Sequence, residues 1–599
     1  GKLAMAEAVD STLRHARQPV AEAGTGTVEP FDSLVPALMS GGKVIISTGT
    51  KTLQDQLYER DLPLVRDALK LPVTISLLKG RANYVCLHHL EKTSREGRLP
   101  SRDDARHLQK IIRFAHASER GDRGQLADVP EHASIWPLVT STRENCLGSN
   151  CAFFRECFVM KARKDALDAD VVVVNHHLFF ADIMLRDEGL SELLPACNTV
   201  ILDEAHQLPD TATLFFGEQT TSGQVNDLAR DAEVAARGTA RDMPELPDAA
   251  ADLGPAAKRL RLALGDTPGK LPRDAALARG DVRAALDELV AAVDRASAGL
   301  AHVAERSEDL AALASRAGEL GGRLARWRSD DARGGGESGG SGGASDSDDG
   351  GGRGDGNRRG DGSSGVDRST SVDASGGVVR SVGVDDSGGF IRWVDVSPYG
   401  FQLHSSPLSV ARIFRRQVDT SGRAWIFTSA TLAVAGKFDL YTSTLGLTEA
   451  ATGCWESPFD YAQQALLYLP RGLPAPNAPE HTDAVVDAAL PVIRASGGRA
   501  FLLFTTLRAL ARARERLAAA FAREALDFPI LVQGEGSKTE LLERFRRLGN
   551  AVLLGSASFW EGVDVAGDAL SVVVIDKLPF APPDDPLLAA RLRKLEVDG

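Results

Sequence analysis

The sequence predicts an α/β protein of several domains, and three observations predict it. Short apolar runs that read as buried strands recur in both halves of the chain, at Val44 to Ser47, Ala500 to Phe504 and Ala551 to Gly555, separated by segments with helical spacing. One such run, Val200 to Leu202, leads straight into Asp203, Glu204 and His206. It places two carboxylates at the carboxyl end of a strand, where open parallel sheets bind ligands. Between these runs the composition shifts, first to Ala, Leu, Arg and Asp and then to Gly, Ser, Asp and Arg. A length of 599 residues is enough for several domains.

Composition narrows the class. Hydrophobic residues make up 43% of the chain, ample for buried cores, yet no apolar run approaches the roughly 18 residues that span a bilayer. The start of the chain also lacks a charged-then-apolar signal pattern, so a cytoplasmic protein without membrane contact is expected. A net charge of −13 excludes a generally basic nucleic-acid coat and confines any such contact to local patches. Six cysteines in so long a chain do not make a disulfide framework, so their spacing is read for metal binding.

In chain order, helical spacing through Ala8, Leu13 and Ala16 leads to a short strand at Val20 to Ala23, then a Gly-rich turn and a helix. Strand, glycine turn and helix form the layout of a phosphate cradle, whose pattern A/G-x4-G-K-S/T wraps phosphates in backbone N–H groups. Ala23, Gly24, Thr25, Gly26 and Thr27 fit this pattern. Val28, Glu29 and Pro30 stand where Gly, Lys and Ser or Thr are wanted. A β-branched side chain, a like charge and a residue with neither hydroxyl nor N–H make this a broken cradle. The strand Val44 to Ser47 then opens, through Thr48, Gly49 and Thr50, into a helix at about Lys51. Small hydroxyls and N–H groups at a helix start suit a sugar-phosphate backbone, and equally a simple helix cap. A further strand is expected from Val73 to Leu77.

Four cysteines follow in one region, Cys86, Cys146, Cys151 and Cys157, with a long polar helical insert after the first. Convergent thiols suggest one metal site. Paired C-x(2–4)-C knuckles of the zinc type are missing, which favours a 4Fe–4S cluster over zinc. Lys79, Arg81 and Tyr84 before the site, and Lys161, Arg163 and Lys164 after it, offer basic and stacking groups to a nucleic-acid strand.

The run LLKGRANYVC, the cysteine spacing, VVVVNHHLFFAD and the DEAH box together resemble the DinG/YoaA branch of the XPD-like superfamily 2 iron–sulfur helicases, over nearly the whole chain. The resemblance implies two RecA-like motor domains, with an iron–sulfur domain and a helical Arch-like domain inserted in the first. It implies ATP-driven 5′ to 3′ movement on single-stranded DNA, with ATP, Mg2+ and the cluster as cofactors. Single-stranded or branched DNA, and single-strand-binding or replication proteins, are the partners it implies. Asp203 would hold hydrated magnesium, Glu204 would activate the attacking water, and His206 would relay the nucleotide state. Ser429 and Thr431 of the TSAT run resemble the motif linking nucleotide to DNA, and Thr505 a phosphate-backbone contact. Gly562 and Asp564 resemble the motif that touches both ligands.

The expected division is 1–80 and 166–221 for the first motor, 81–165 for the cluster domain and 222–333 for the Arch-like domain. Val282, Ala285, Leu286, Leu289, Val290 and Val293 mark an amphipathic helix there. Residues 334–389 read as a disordered insert, 390–465 as a strand pair and the TSAT strand returning to the first motor, 466–482 as a linker, and 483–599 as an incomplete second motor. The family's last motif, Q-x-x-G-R-x-x-R, and its adenine-reading Gln are absent, Lys2 standing before Met5 at the latter position. This reads as a chain clipped at both ends or a divergent remnant. A relative that keeps the cluster and DNA surface without turning over ATP, or a zinc-stabilised nucleic-acid scaffold, would share these features. Because the composition of 334–389 cannot bury a core, its deletion should leave the melting temperature and DNA affinity nearly unchanged; a large drop in a thermal melt would reveal a structural role.

Overall fold

The computed structural model describes the chain except residues 1, 16–18, 24–30, 98, 127, 132, 144, 188–192, 241, 244, 330–388, 458, 557, 558, 561, 562, 564, 566, 583, 584 and 599. The Gly/Ser/Asp-rich insert expected at 334–389 therefore lies, save Gly389, outside the described residues. The early strands are β1 (Pro19–Ala23), β2 (Val44–Thr48), β3 (Ile75–Leu77), β4 (Val171–Asn175) and β5 (Thr199–Asp203). Next come β6 (Glu218–Thr221), β7 (Gly269–Pro272), β8 (Phe390–Ser397), β9 (Gly400–Pro407), β10 (Ala424–Ser429) and β11 (Ala451–Trp455). The last four are β12 (Ala500–Leu503), β13 (Ile530–Val532), β14 (Val552–Gly555) and β15 (Val572–Ile575).

Seven strands form one sheet in the order β11-β1-β10-β5-β2-β4-β3, with every pair parallel. The continuous apolar runs are explained by burial on both faces. Along β2, Ile45 joins one core while Val44 and Ile46 join the other; along β5, Val200 and Leu202 face the first and Ile201 the second. This period of two, with both sides covered, is what a parallel sheet demands. Trp425 on β10 anchors the first core, its ring centroid 5.8 Å from Phe179 and 6.0 Å from Phe414. A second parallel sheet, β13-β14-β12-β15, repeats the pattern: Phe501 and Leu503 face one side, and Ala500 and Leu502 the other. The expected α/β class with two parallel cores is thus present.

Between the strands of the first sheet lies a helical unit made by Ser222–Thr239, Glu245–Ala263, Gly280–Val303 and Glu308–Arg328. The six residues of the expected amphipathic helix are all buried in its core. The strand pair expected after residue 390 is present as β8 and β9, and its sheet partners are set by tertiary packing. β8 and β9 join β6 and β7 in an antiparallel sheet, β6-β9-β8-β7, instead of extending the first motor sheet. Alternation gives the reason: Val394, Val396, Phe401 and Leu403 share one face, and the helical core supplies its cover. The short, largely exposed β7 carries no apolar run, so the sequence did not reveal it. Helix Pro586–Asp598 returns from the second sheet, where Arg591 bonds Asp210 at 2.9 Å and Thr213 at 2.8 Å, while nearby Asp585 pairs with Lys270 at 2.6 Å. Among the described residues no helix is long and apolar enough to cross a membrane.

Candidate nucleotide and DNA site

Parallel register brings the carboxyl ends of β1, β10, β5, β2 and β4 to one edge. Glu22 lies beside Ser429, Thr428 beside Asp203, and Ser47 beside Leu202. Here the Thr48 hydroxyl donates to Asp203 Oδ2 at 2.8 Å. Burial, reinforced by the charge of Glu204, pushes the Asp203 carboxyl up to about 7, and the Thr48 hydrogen bond works in the opposite direction. Glu204 takes a left-handed backbone (φ 52°), which turns the chain sharply between strand and helix. His206 Nδ1 then stands 2.9 Å from Ser429 Oγ and 3.3 Å from Glu204, while the Tyr441 hydroxyl donates to the Ala205 carbonyl at 2.9 Å. Gly49 packs closely on the end of the Gln207 side chain, where a Cβ would lie 2.2 Å from Oε1 and displace that amide. Adjacent carboxylates of this kind fit a hard divalent cation such as magnesium, whose charge would offset their repulsion.

Two residues of this edge escaped the sequence reading. His176 is fully buried with Nδ1 2.7 Å from Ser47 Oγ, and burial lowers its pKa to about 3, so its imidazole is neutral. The NHHLF run after a buried strand was the available signal. The Glu22 carboxylate accepts backbone N–H groups from Leu432 and Ala433, fixing the loop after TSAT. A lone acid inside an otherwise apolar strand could have flagged it. Of the cradle, Ala23 closes β1, whereas Gly24, Thr25, Gly26, Thr27 and Glu29 lie outside the described residues, as do Gly562 and Asp564.

The expected DNA contacts divide. Thr50 caps helix Lys51–Gln56, accepting from Leu53 N at 3.3 Å, and Lys51 and Thr431 are exposed. Partial desolvation and the charge of Arg123 lower the Lys51 pKa. Thr48 and Ser429 are buried and committed to Asp203 and His206, which removes them from direct strand contact. Lys79 is also a correction: it is 6% exposed and pairs with Asp55 at 2.6 Å and Asp122 at 2.8 Å. Tyr84, 3% exposed, accepts from Lys79 N at 3.0 Å and offers no stacking face. Lys79 ties the segment before Cys86 to helix Lys51–Gln56 through Asp55. Arg81, by contrast, lines a cavity of about 330 Å3 with Arg143 and Arg163. Thr505 keeps a buried hydroxyl with no hydrogen-bond partner at the carboxyl end of β12.

Cys86 and Cys157 immediately precede helices Leu87–Glu96 and Phe158–Asp168, and Cys151 ends the short turn Gly148–Asn150. Burial, with the charges of Cys157 and Cys151 adding, pushes the Cys86 thiol up to about 11, and Cys151 feels Cys146 as well as Cys157. The four thiols therefore share one neighbourhood, although among the described residues no three ligating side chains stand in metal-holding geometry. All-sulfur donors of this number fit an iron–sulfur cluster.

A parallel sheet with a DEAH box at its carboxyl edge, coupled by hydrogen bonds to loops on both neighbouring strands, defines a nucleotide-dependent motor of the helicase class. Residues 489–599 match the helicase C-terminal domain family. The ATP-dependent DNA helicase YoaA of Escherichia coli is 40% identical over 99% of this chain and 84% of its own length. The ATP-dependent helicase DinG of Mycobacterium tuberculosis is 31% identical over 100% of this chain and 84% of its own. A solved XPD helicase is 14% identical, with TM-score 0.48 over 99% of this chain and 87% of that one. The chain belongs to the YoaA/DinG family of ATP-dependent DNA helicases, an assignment that rests on the sequence relatives.

The burial of Lys79 makes a test of its role. Lys79→Ala leaves Asp55 and Asp122 facing each other without a cation, and should cost about 3 kcal/mol of stability in chemical denaturation, at the low end because Asp55 is half exposed. A normal melt with weakened DNA binding would return Lys79 to the DNA surface.

Proposed function

We propose that the protein is an ATP-driven motor that moves 5′ to 3′ along single-stranded DNA and opens duplex or branched DNA in repair or replication. The observation carrying this reading is the pair of hydrogen bonds Thr48–Asp203 and Ser429–His206, which tie the carboxylate edge to the two loops bearing Thr50, Lys51 and Thr431. Asp203 would hold the metal, Glu204 would take the proton of the attacking water, and His206 would pass the change at Glu204 to Ser429. Exposed Lys51 and Thr431, half-buried Thr50 and the Arg81, Arg143 and Arg163 cavity would contact the strand. Cys86, Cys146, Cys151 and Cys157 would hold a 4Fe–4S cluster that cross-links the loops around them. Names of relatives in this family, DNA helicases, support DNA as the substrate.

One observation favours a second reading for the chain as it stands. Val28, Glu29 and Pro30 remove the lysine and the hydroxyl that grip phosphate and magnesium. Exchanging an attractive for a repulsive charge about 4 Å away swings the interaction by an amount of order 4 kcal/mol on either side of zero at an effective dielectric near 20. The chain should then bind single-stranded DNA with little hydrolysis. Changing Val28→Gly, Glu29→Lys and Pro30→Thr, in a chain that also carries the family's final arginine motif, should switch on DNA-stimulated phosphate release. Duplexes with a 5′ single-stranded tail should then open; opening of 3′-tailed duplexes alone would refute the direction. Equal hydrolysis by repaired and unrepaired chains, abolished in each by Glu204→Gln, would end the second reading.

For the cluster, Cys86→Ser should abolish iron and acid-labile sulfide in anaerobically purified protein. Stoichiometric zinc without iron would replace this assignment with a zinc site.

A further inference from the structure

The β8–β9 hairpin turns at Pro398 and Tyr399, and Tyr399 is 98% exposed. Neither turn residue has the positive φ that would account for a special residue there. The turn is nevertheless held firmly. Ser397 Oγ accepts from Gly400 N at 3.1 Å, Arg261 Nε donates to the Ser397 carbonyl at 2.6 Å, and Phe401 N donates to Ser222 Oγ at 3.2 Å. Gly400 sits so close to helix Ser222–Thr239 that a Cβ would lie 2.3 Å from Ser222 Oγ. A rigid mount that carries an aromatic ring into solvent has no packing purpose of its own.

Tyr399 forms one wall of a cavity of about 490 Å3, and Ser222, Asn226, Lys258, Arg261 and Asp266 contribute to the rest. Lys258 and Arg261 are one turn apart on helix Glu245–Ala263, and Ser222 marks the positive end of an 18-residue helix. In a chain of net charge −13, the charged groups lining this cavity are Lys258, Arg261 and a single acid, Asp266, beside an exposed ring. Asp266, on the rim, would repel a phosphate from its own side and so confines that charge to Lys258 and the helix start. The cavity also lies near the seam with the second parallel unit. β7 pairs with β8 beside the turn, Gly269 opposite Val396, and the next residue, Lys270, reaches Asp585.

We propose that this cavity takes one nucleotide of an unpaired DNA strand, the base stacking on Tyr399 and the phosphate lying against Lys258 and the start of helix Ser222–Thr239. A ring with a free face, a cation and a helix N-terminus within one groove match the three parts of a single-stranded nucleotide. The inference rests on the reading of the protein as a DNA motor and adds a contact on the helical unit, away from the carboxyl edge of the sheet. Such a contact would guide the strand without touching ATP chemistry.

The full chain is irradiated with a single-stranded oligothymidylate carrying 5-iodouracil, and adducts are mapped by mass spectrometry. Tyr399 should be crosslinked. Tyr399→Ala should weaken binding about tenfold, from the loss of one base stack, whereas Tyr399→Trp should retain it. Lys258→Ala should reduce the slope of log affinity against log salt by about 0.7, one phosphate contact on a single strand. Unchanged affinity in Tyr399→Ala, or equal loss in Tyr399→Trp, overturns the site while leaving the DNA-motor reading intact. Absence of any single-stranded DNA binding by the unaltered chain overturns both.

Discussion

The hydrogen bond from Thr48 to Asp203 depends on burial of the first sheet on both faces. Because Val44 to Ile46 and Val200 to Leu202 are covered from either side, polar chemistry can occur only where the strands run out. The parallel register then makes those ends coincide, placing Ser47 beside Leu202 and Thr428 beside Asp203. A half-buried carboxylate beside another carboxylate is costly in this position, which is why the Asp203 carboxyl is held up near 7 and why the Thr48 donor matters. A slip of one residue in β2 would turn Ser47 and Thr48 to opposite faces and break the contacts to His176 and Asp203 together.

This edge also explains how a local chemical change could reach distant loops. His206 faces Glu204 on one side and Ser429 on the other, and Ser429 precedes the loop that Glu22 holds by its backbone. On the opposite flank Gly49 touches the end of the Gln207 side chain, which brings the turn leading to Thr50 and Lys51 against the residues after the box. Close-packed interiors have few voids in which a shift can be absorbed, so small displacements at this edge would be passed to the side chains packed on it. Arg591 adds a third route, since its partner Asp210 lies on the helix that begins directly after the box.

Much of this was legible in the sequence, and the misses have physical causes. Strands with both faces buried are conspicuous as apolar runs, so β2, β5, β10, β12 and β14 could be read, and the amphipathic stretch at Val282 to Val293 gave its helix. The antiparallel sheet was harder. β7 is Gly-Lys-Leu-Pro, with no periodicity to detect, and the partner of β8 and β9 is decided by tertiary packing rather than by local pattern. Lys79 and Tyr84 looked like surface groups because side-chain type suggests exposure. Two aspartates distant in the chain, or nearby only through a helix, supply the counter-charge that permits Lys79 to be buried. No single-sequence signal distinguishes such a lysine from one that meets DNA.

The altered phosphate loop and the intact carboxylate edge obey different constraints. Asp203, Glu204 and His206 are tied into the fold through Thr48, Ser429 and Tyr441, so replacing them disturbs packing as well as chemistry. Under the second reading positions 28 to 30 would serve only the nucleotide, so Val, Glu and Pro could stand there where that ligand is not required. Residues whose exposure serves no core add to the motor reading: Lys51 and Thr431 beside the carboxylate edge, and the guanidinium groups of Arg81, Arg143 and Arg163 gathered at one cavity. A cavity that gathers three guanidinium groups offers charge-assisted donors to an anion, and under the proposed function the phosphates of a DNA strand would supply such anions at regular intervals.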